Sequence, residues 1–408
     1  MKKFIYFLLI ISLISCGKEK GSTEPPAGIW SSTLWVQDNP LPFSFKLIKE
    51  EGKYRAELYN EDETFILDEV FMEGDSLVMN MHIFDAVIKA KYSFPNKMAG
   101  YWKKNYEEDY VVPFEANLGE DIPENAEGAK PTFDFTGKWK VKFSKEKVDS
   151  VYSVGIFNQK ESGYVSGTFL NATGDYRSLE GWVKGNTLEL FTFDGGHAFV
   201  FRATPNDDNT IRGEFWSGKS WYETWTGLRD ENARIPDENS LTFLKPGYDR
   251  IEFEFPDLEG NPVSLDDPQF QDKVVILQIF GSWCPNCMDE TKFLAQWYNS
   301  NRPENVEVLG LAFEAKDDFD YASGRVRIMK EKLDVPYDFV IAGVKDKEEA
   351  AKSLPMLNHI LAFPTTIFID KNGDIRRIHT GFTGPGTGEY FDRFVTDFEE
   401  FVSVLASE

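Results

Sequence analysis

The chain has 408 residues, enough for two or three domains, and 15% of them are aromatic, enough to fill more than one core. Its formal net charge of −24 argues against a nucleic-acid partner and against a polybasic membrane patch, and favours solubility. Three cysteines (Cys16, Cys284 and Cys287) and four scattered histidines (His82, His197, His359 and His379) offer neither a second cysteine pair nor a histidine pair at zinc-ligand spacing, so no metal or other cofactor is expected.

At the N-terminus Lys2-Lys3 precede an apolar stretch from Phe4 to Ile14. That is shorter than the about 20 residues a spanning helix needs, and it reads as a signal peptide over residues 1–15. Leu13-Ile14-Ser15-Cys16 resembles the bacterial lipobox, which implies lipidation of Cys16 and a membrane anchor made of acyl chains. The alternative is an ordinary export signal with an incidental cysteine. Residues 16–27 then form a polar tether. Without Cys16 the mature chain keeps two thiols in one motif, which fits an exported, oxidising compartment.

Residues 28–230 show short alternating stretches separated by Gly, Asn and Asp, with almost no helical period. This half predicts an all-β region of two related units, 28–119 and 137–230, joined by a linker over 120–136. Four parallels run in order: Gly28-Ile29-Trp30 with Gly137-Lys138-Trp139; Gly74-Asp75-Ser76-Leu77 with Gly185-Asn186-Thr187-Leu188; Phe84-Asp85-Ala86 with Phe193-Asp194-Gly195; Gly100-Tyr101-Trp102 with Gly213-Glu214-Phe215-Trp216. They predict two copies of one antiparallel sandwich or barrel, with glycines at hairpin turns and aromatics inside. Trp182, Trp216, Trp221 and Trp225 are read as core rather than as a ligand groove. Gly195-Gly196-His197 offers no site, because the histidine has no partner in the sequence.

Residues 231–245 are polar and read as a linker, and from 246 strands alternate with helices. Strands are predicted at Ile251 to Phe255, Val274 to Phe280, Val306 to Phe313, Thr365 to Ile369 and Asp374 to Thr380, the last two joined through Asn372-Gly373. Helices are predicted over Asp289 to Trp297, over Asp318 to Leu333 with an apolar stripe at Phe319, Ala322, Val326 and Leu333, and over Tyr390 to Leu405. The order predicts an α/β layer structure over 246–408. Directly after the second of these strands comes Trp283-Cys284-Pro285-Asn286-Cys287. Pro285 suits the first position of a helix, so Cys284 caps it, and the positive helix end favours a thiolate there. Cys284 is therefore the candidate nucleophile. Cys287, one turn further in, is the resolving thiol, and the pair forms the redox-active disulfide. A structural disulfide closing so short a loop would remove little chain entropy.

This order of elements, with Phe363-Pro364-Thr365-Thr366 ahead of the hairpin, resembles the thioredoxin superfamily and more narrowly the TlpA/ResA-type envelope thiol–disulfide oxidoreductases, over about residues 246 to 408. The resemblance implies a thioredoxin-like C-terminal domain with a central sheet flanked by helices. It implies a cis Pro364 against the CxxC pair, and an acid beneath the pair, Glu290, that exchanges a proton with Cys287. Glu314, at a strand end, is a second candidate for that duty. Trp283, Pro285, Phe363 and Thr365 are the expected substrate contacts. The implied function is disulfide reduction or isomerisation on exported, disulfide-containing proteins, fed by a membrane thiol electron donor, in a lipoprotein facing the periplasm from the inner or outer membrane. Without a histidine between the cysteines the poise is expected nearer the about −270 mV of thioredoxin than the about −120 mV of a strong oxidant. A peroxidase is disfavoured by the thioredoxin-like spacing. The rival from another class is a ligand- or protein-binding surface lipoprotein in which the thioredoxin-like domain is only a scaffold.

Overall fold

The computed structural model describes residues 23–61, 63–119, 129–146, 152–207 and 209–408. The predicted signal peptide and Cys16 lie outside them.

The first unit runs through β1 (Gly28–Val36), β2 (Asn39–Glu50), β3 (Lys53–Asn60), β4 (Glu63–Glu73), β5 (Ser76–Asn80), β6 (Ala86–Ser93), β7 (Lys97–Lys104) and β8 (Val111–Leu118). Each strand pairs with the next and β8 pairs back onto β1, so the sheet closes into an antiparallel up-and-down barrel. Strict alternation along β1 fills the interior, with Trp30, Ser32, Leu34 and Val36 buried, and the β1–β8 pairing leaves no free strand edge.

The second unit comprises β9 (Gly137–Phe143), β10 (Ser153–Gln159), β11 (Tyr164–Asn171), the two-residue β12 (Gly174–Asp175), β13 (Leu179–Lys184), β14 (Thr187–Phe193), β15 (Ala198–Pro205), β16 (Thr210–Ser217) and β17 (Trp221–Arg229). Omitting β12, which hangs from β11, the strands again pair in chain order and β17 closes onto β9. Both units are barrels, and each of the four sequence parallels falls on the same strand or loop of its barrel. The two cores even share a detail: Trp30 and Trp139, both fully buried, donate Nε1 to the carbonyls of Pro26 and Phe135, each four residues earlier. The barrels pack through Phe193, whose ring lies 4.7 Å from Phe43 and 5.4 Å from Trp102. Of the four tryptophans read as core, Trp182 and Trp225 are buried. Trp221 is not: it is 48% exposed, with Lys145 over its ring. It stands at the first residue of β17, where the barrel wall ends.

The C-terminal part holds a small hairpin of β18 (Phe255–Pro256) and β19 (Pro262–Val263), then β20 (Val274–Phe280), α1 (Pro285–Asn301), β21 (Val306–Glu314), α2 (Phe319–Lys332), β22 (Asp338–Val344), α3 (Lys347–Ser353), β23 (Thr365–Ile369), β24 (Ile375–Thr380) and α4 (Glu389–Ser407). The sheet order is β22-β21-β20-β23-β24, with the first three strands parallel and the last two antiparallel. This is the thioredoxin-like arrangement. β20 is buried along its whole length, as a continuous apolar strand under helices must be. α1 packs on α4 through Phe293, whose ring meets Phe391, Phe394 and Phe398.

Three expectations change. Residues 251–254 form no strand, and only Phe255–Pro256 pairs, so alternation over five residues did not secure a partner. Phe319 is 37% exposed at the start of α2, whereas Met329 fills the buried stripe with Ala322 and Val326. The third change is one of detail, since the span 231–245, read as a linker, is tied to the C-terminal part: Leu241 accepts from Asn358, and Lys245 donates its backbone N–H to Met356. No described helix is long and apolar enough to cross a membrane.

Candidate active site

The strand β20 delivers the chain to Gly281-Ser282, a turn clasped by Glu314 at the end of β21. Ser282 donates both its backbone N–H and its hydroxyl to the Glu314 carboxylate, each at 2.8 Å. Glu314 is fully buried; burial pushes its carboxyl up, and the Ser282 bonds oppose that shift. Its work is to fix the turn. Trp283 donates Nε1 to the Phe313 carbonyl at 2.8 Å and sets its ring edge-on to Phe363 at 5.6 Å.

Cys284 is the N-cap of α1, and its sulfur accepts the Cys287 backbone N–H at 3.3 Å. Pro285 occupies the first helical position, where its missing donor costs no bond. The Cys284 thiol also donates to the Phe363 carbonyl at 3.4 Å, and the Phe363–Pro364 peptide bond is cis. Both cysteines are free thiols, Cys284 with 6% exposure and Cys287 with none. Burial holds the Cys287 thiol well above its ordinary range; the neighbouring Cys284 sulfur and the Glu290 charge add to it.

Glu290, one turn beyond Cys287, is buried. Thr366 donates its hydroxyl to Glu290 Oε1 at 2.6 Å, and Gln278 donates Nε2 to Oε2 at 2.8 Å. Burial pushes the Glu290 carboxyl up to about 7, with those two bonds pulling the other way. Gln278 is itself held by Thr291 and by the Tyr337 hydroxyl. Of the two acids, Glu290 is the one whose charge acts on Cys287.

Thus Cys284, Cys287, Glu290, Trp283, Phe363 and Pro364 come together. Three of the four expected substrate contacts are buried, Phe363 with 8% exposure and Thr365 and Pro285 besides, and only Trp283 is half-buried. Thr365 is fully buried with its hydroxyl on the Ala362 carbonyl, as all of β23 is buried. Pro285 is covered by the second barrel, where a Cβ added at Gly196 would stand 2.7 Å from Pro285 Cγ.

That cover is what sequence reasoning missed. The side chain of Asn286 donates to the Asp175 carbonyl at 3.0 Å, and Asp175 Oδ2 accepts the Gly384 N–H at 2.5 Å. Arg177, 3% exposed, pairs with Asp289 of α1 at 3.0 Å, with Asp194 at 2.9 Å and with Glu63 of the first barrel at 2.8 Å. Lys292 of α1 adds a second cation, 3.4 Å from Glu63 and 3.9 Å from Asp289. Burial pushes the Asp289 carboxyl up to about 7 against the pull of Arg177. His197, read as partnerless, has Asp194 at 3.1 Å. The Gly195-Gly196-His197 run was the one available signal, since paired glycines mark close backbone approach.

Comparison with known proteins follows the same outline. The AhpC/TSA family model matches residues 246–378. The thiol-disulfide oxidoreductase ResA of Geobacillus kaustophilus is 27% identical over 142 residues, 34% of this chain and 72% of that protein. ResA of Halalkalibacterium halodurans is 24% identical over 140 residues, 34% of this chain and 71% of its own. Among solved structures, a thiol-disulfide oxidoreductase from Bacteroides fragilis aligns over 36% of this chain and 99% of its own at 22% identity and a TM-score of 0.27. A thioredoxin-family thiol:disulfide interchange protein from Chlorobium tepidum aligns over 39% and 95% at 18% identity and a TM-score of 0.30. The C-terminal part of this chain is therefore an AhpC/TSA-family, thioredoxin-like domain with a CxxC pair, homologous to the ResA thiol-disulfide oxidoreductases and carried behind two added β-barrels.

Proposed function

We propose that the chain is an exported thiol–disulfide oxidoreductase that reduces or isomerises disulfides of other exported proteins. The observation that carries this reading is the placement of Cys284 at the N-cap of α1, with Cys287 buried one turn behind it and Glu290 beneath. The Cys284 thiolate attacks one sulfur of a substrate disulfide, forms a mixed disulfide and expels the other substrate sulfur as a thiolate, which takes up a proton. Cys287 then gives its proton to Glu290 and attacks the Cys284 sulfur. The Cys284–Cys287 disulfide forms, and the second substrate thiol leaves reduced. Two electrons pass from the dithiol to the substrate, so a membrane thiol donor is needed to restore it.

Trp283, half-buried, forms the substrate-facing wall, with Phe363 and the cis Pro364 behind it. The lipobox-like residues before Cys16 support a lipid anchor that holds the protein in the cell envelope. Cys284→Ser removes the attacking sulfur and is expected to abolish reduction of insulin disulfides by the full chain. Turnover retained in that variant rejects the assignment.

A further inference from the structure

Part of the cover over the residues between the two cysteines comes from outside their own domain. The dipeptide between the cysteines is covered on two flanks. On one, β12 is bonded both to Asn286, through the Asp175 carbonyl, and to the loop between β24 and α4, through Gly384. On the other, the loop between β14 and β15 lies on Pro285, and Gly196 is the only residue type that fits: a Cβ there would meet Pro285 at 2.7 Å and the Phe84 ring at 3.4 Å. Phe84 belongs to the equivalent loop of the first barrel. That loop is fastened to α2, where Tyr321 donates to Asp85 at 2.8 Å and Arg325 donates to the Ile83 carbonyl. The same loop of each repeat therefore converges on the start of α1. Arg177 ties the arrangement together through Glu63, Asp194 and Asp289, one acid from each part of the molecule.

We propose that Arg177, Asp175 and Gly196 set the substrate specificity of the dithiol. They hold the second barrel on Pro285-Asn286, so that the closed enzyme exchanges readily with small disulfides and meets a disulfide on a folded protein only when this contact opens. The proposal rests on the oxidoreductase reading above. On the Pro285-Asn286 side of Cys284 the barrel occupies the space that a polypeptide flanking the attacked bond would cross. A small disulfide needs only the sulfur of Cys284, the one member of the pair with any exposure. The chemistry is unchanged in either case: one disulfide is reduced to two thiols while Cys284 and Cys287 are oxidised to a disulfide.

The test compares rates of oxidation of the reduced full chain by oxidised glutathione and by insulin, read by mass-tagging of the remaining thiols. Arg177→Met removes the tie. Gly196→Ala keeps every charge and pushes the loop off Pro285, so it decides the matter if the first variant does not fold. Both are expected to raise the insulin rate roughly tenfold while leaving the glutathione rate within about threefold. An unchanged ratio of the two rates in the folded variants overturns the specificity proposal alone. Inertness of wild type and variants toward both disulfides overturns the oxidoreductase reading with it.

Discussion

Glu290 holds its proton to near neutrality because β20, α1 and β23 enclose it, and its two hydrogen bonds only partly offset the loss of water. The consequence for stability has a definite sign. The folded chain keeps this proton up to about pH 7, whereas the unfolded chain releases it near 4.5. The contribution is fully present below pH 4.5 and is lost as pH rises through 7, a change of about 3 kcal/mol. Glu290→Gln is expected to flatten the decline in the urea midpoint between those values; parallel curves for variant and wild type would show that Glu290 does not carry the proton. At this scale the Cys284–Cys287 pair was legible, because its spacing along one helix fixes the relation before any tertiary contact forms; Glu290 was named only through the family resemblance, with Glu314 as its rival. Asp175 and Arg177 were not legible. Their partners Asn286 and Asp289 lie 111 and 112 residues away, and no local pattern encodes a contact at that separation.

Among elements, the mainly apolar strands β20 and β21 were legible, as were the short strands β23 and β24 on either side of Asn372-Gly373 and the amphipathic α4, whose stripe buries Phe398, Val402 and Leu405. β22 and α3 escaped notice. α3 buries only Ala350, and β22 has no regular alternation of buried and exposed residues, so neither offers a period to recognise. The packing of α1 on α4 sets how firmly the dithiol helix is held. Phe293 is almost fully buried there among four aromatic rings. Phe293→Ala leaves a cavity and is expected to cost about 3–5 kcal/mol of stability. A loss under about 1 kcal/mol in denaturant unfolding would mean that α4 does not brace α1 as described.

Across the whole molecule, two barrels of one topology and a thioredoxin-like domain meet at the start of a single helix. The repeat was visible in sequence because the same turns and core aromatics recur in order; whether the units were sandwiches or barrels was not, since closure depends on which strands meet last. The junction places the working thiols under cover, and the account stands on the order in which they act. The most direct measurement traps that order in the full chain. Reduced Cys287→Ser is mixed with insulin, and the cross-linked product is mapped by peptide mass spectrometry under non-reducing conditions. The account predicts a stable mixed disulfide through Cys284. A trapped species through any other residue, or none while wild type still reduces insulin, would contradict it.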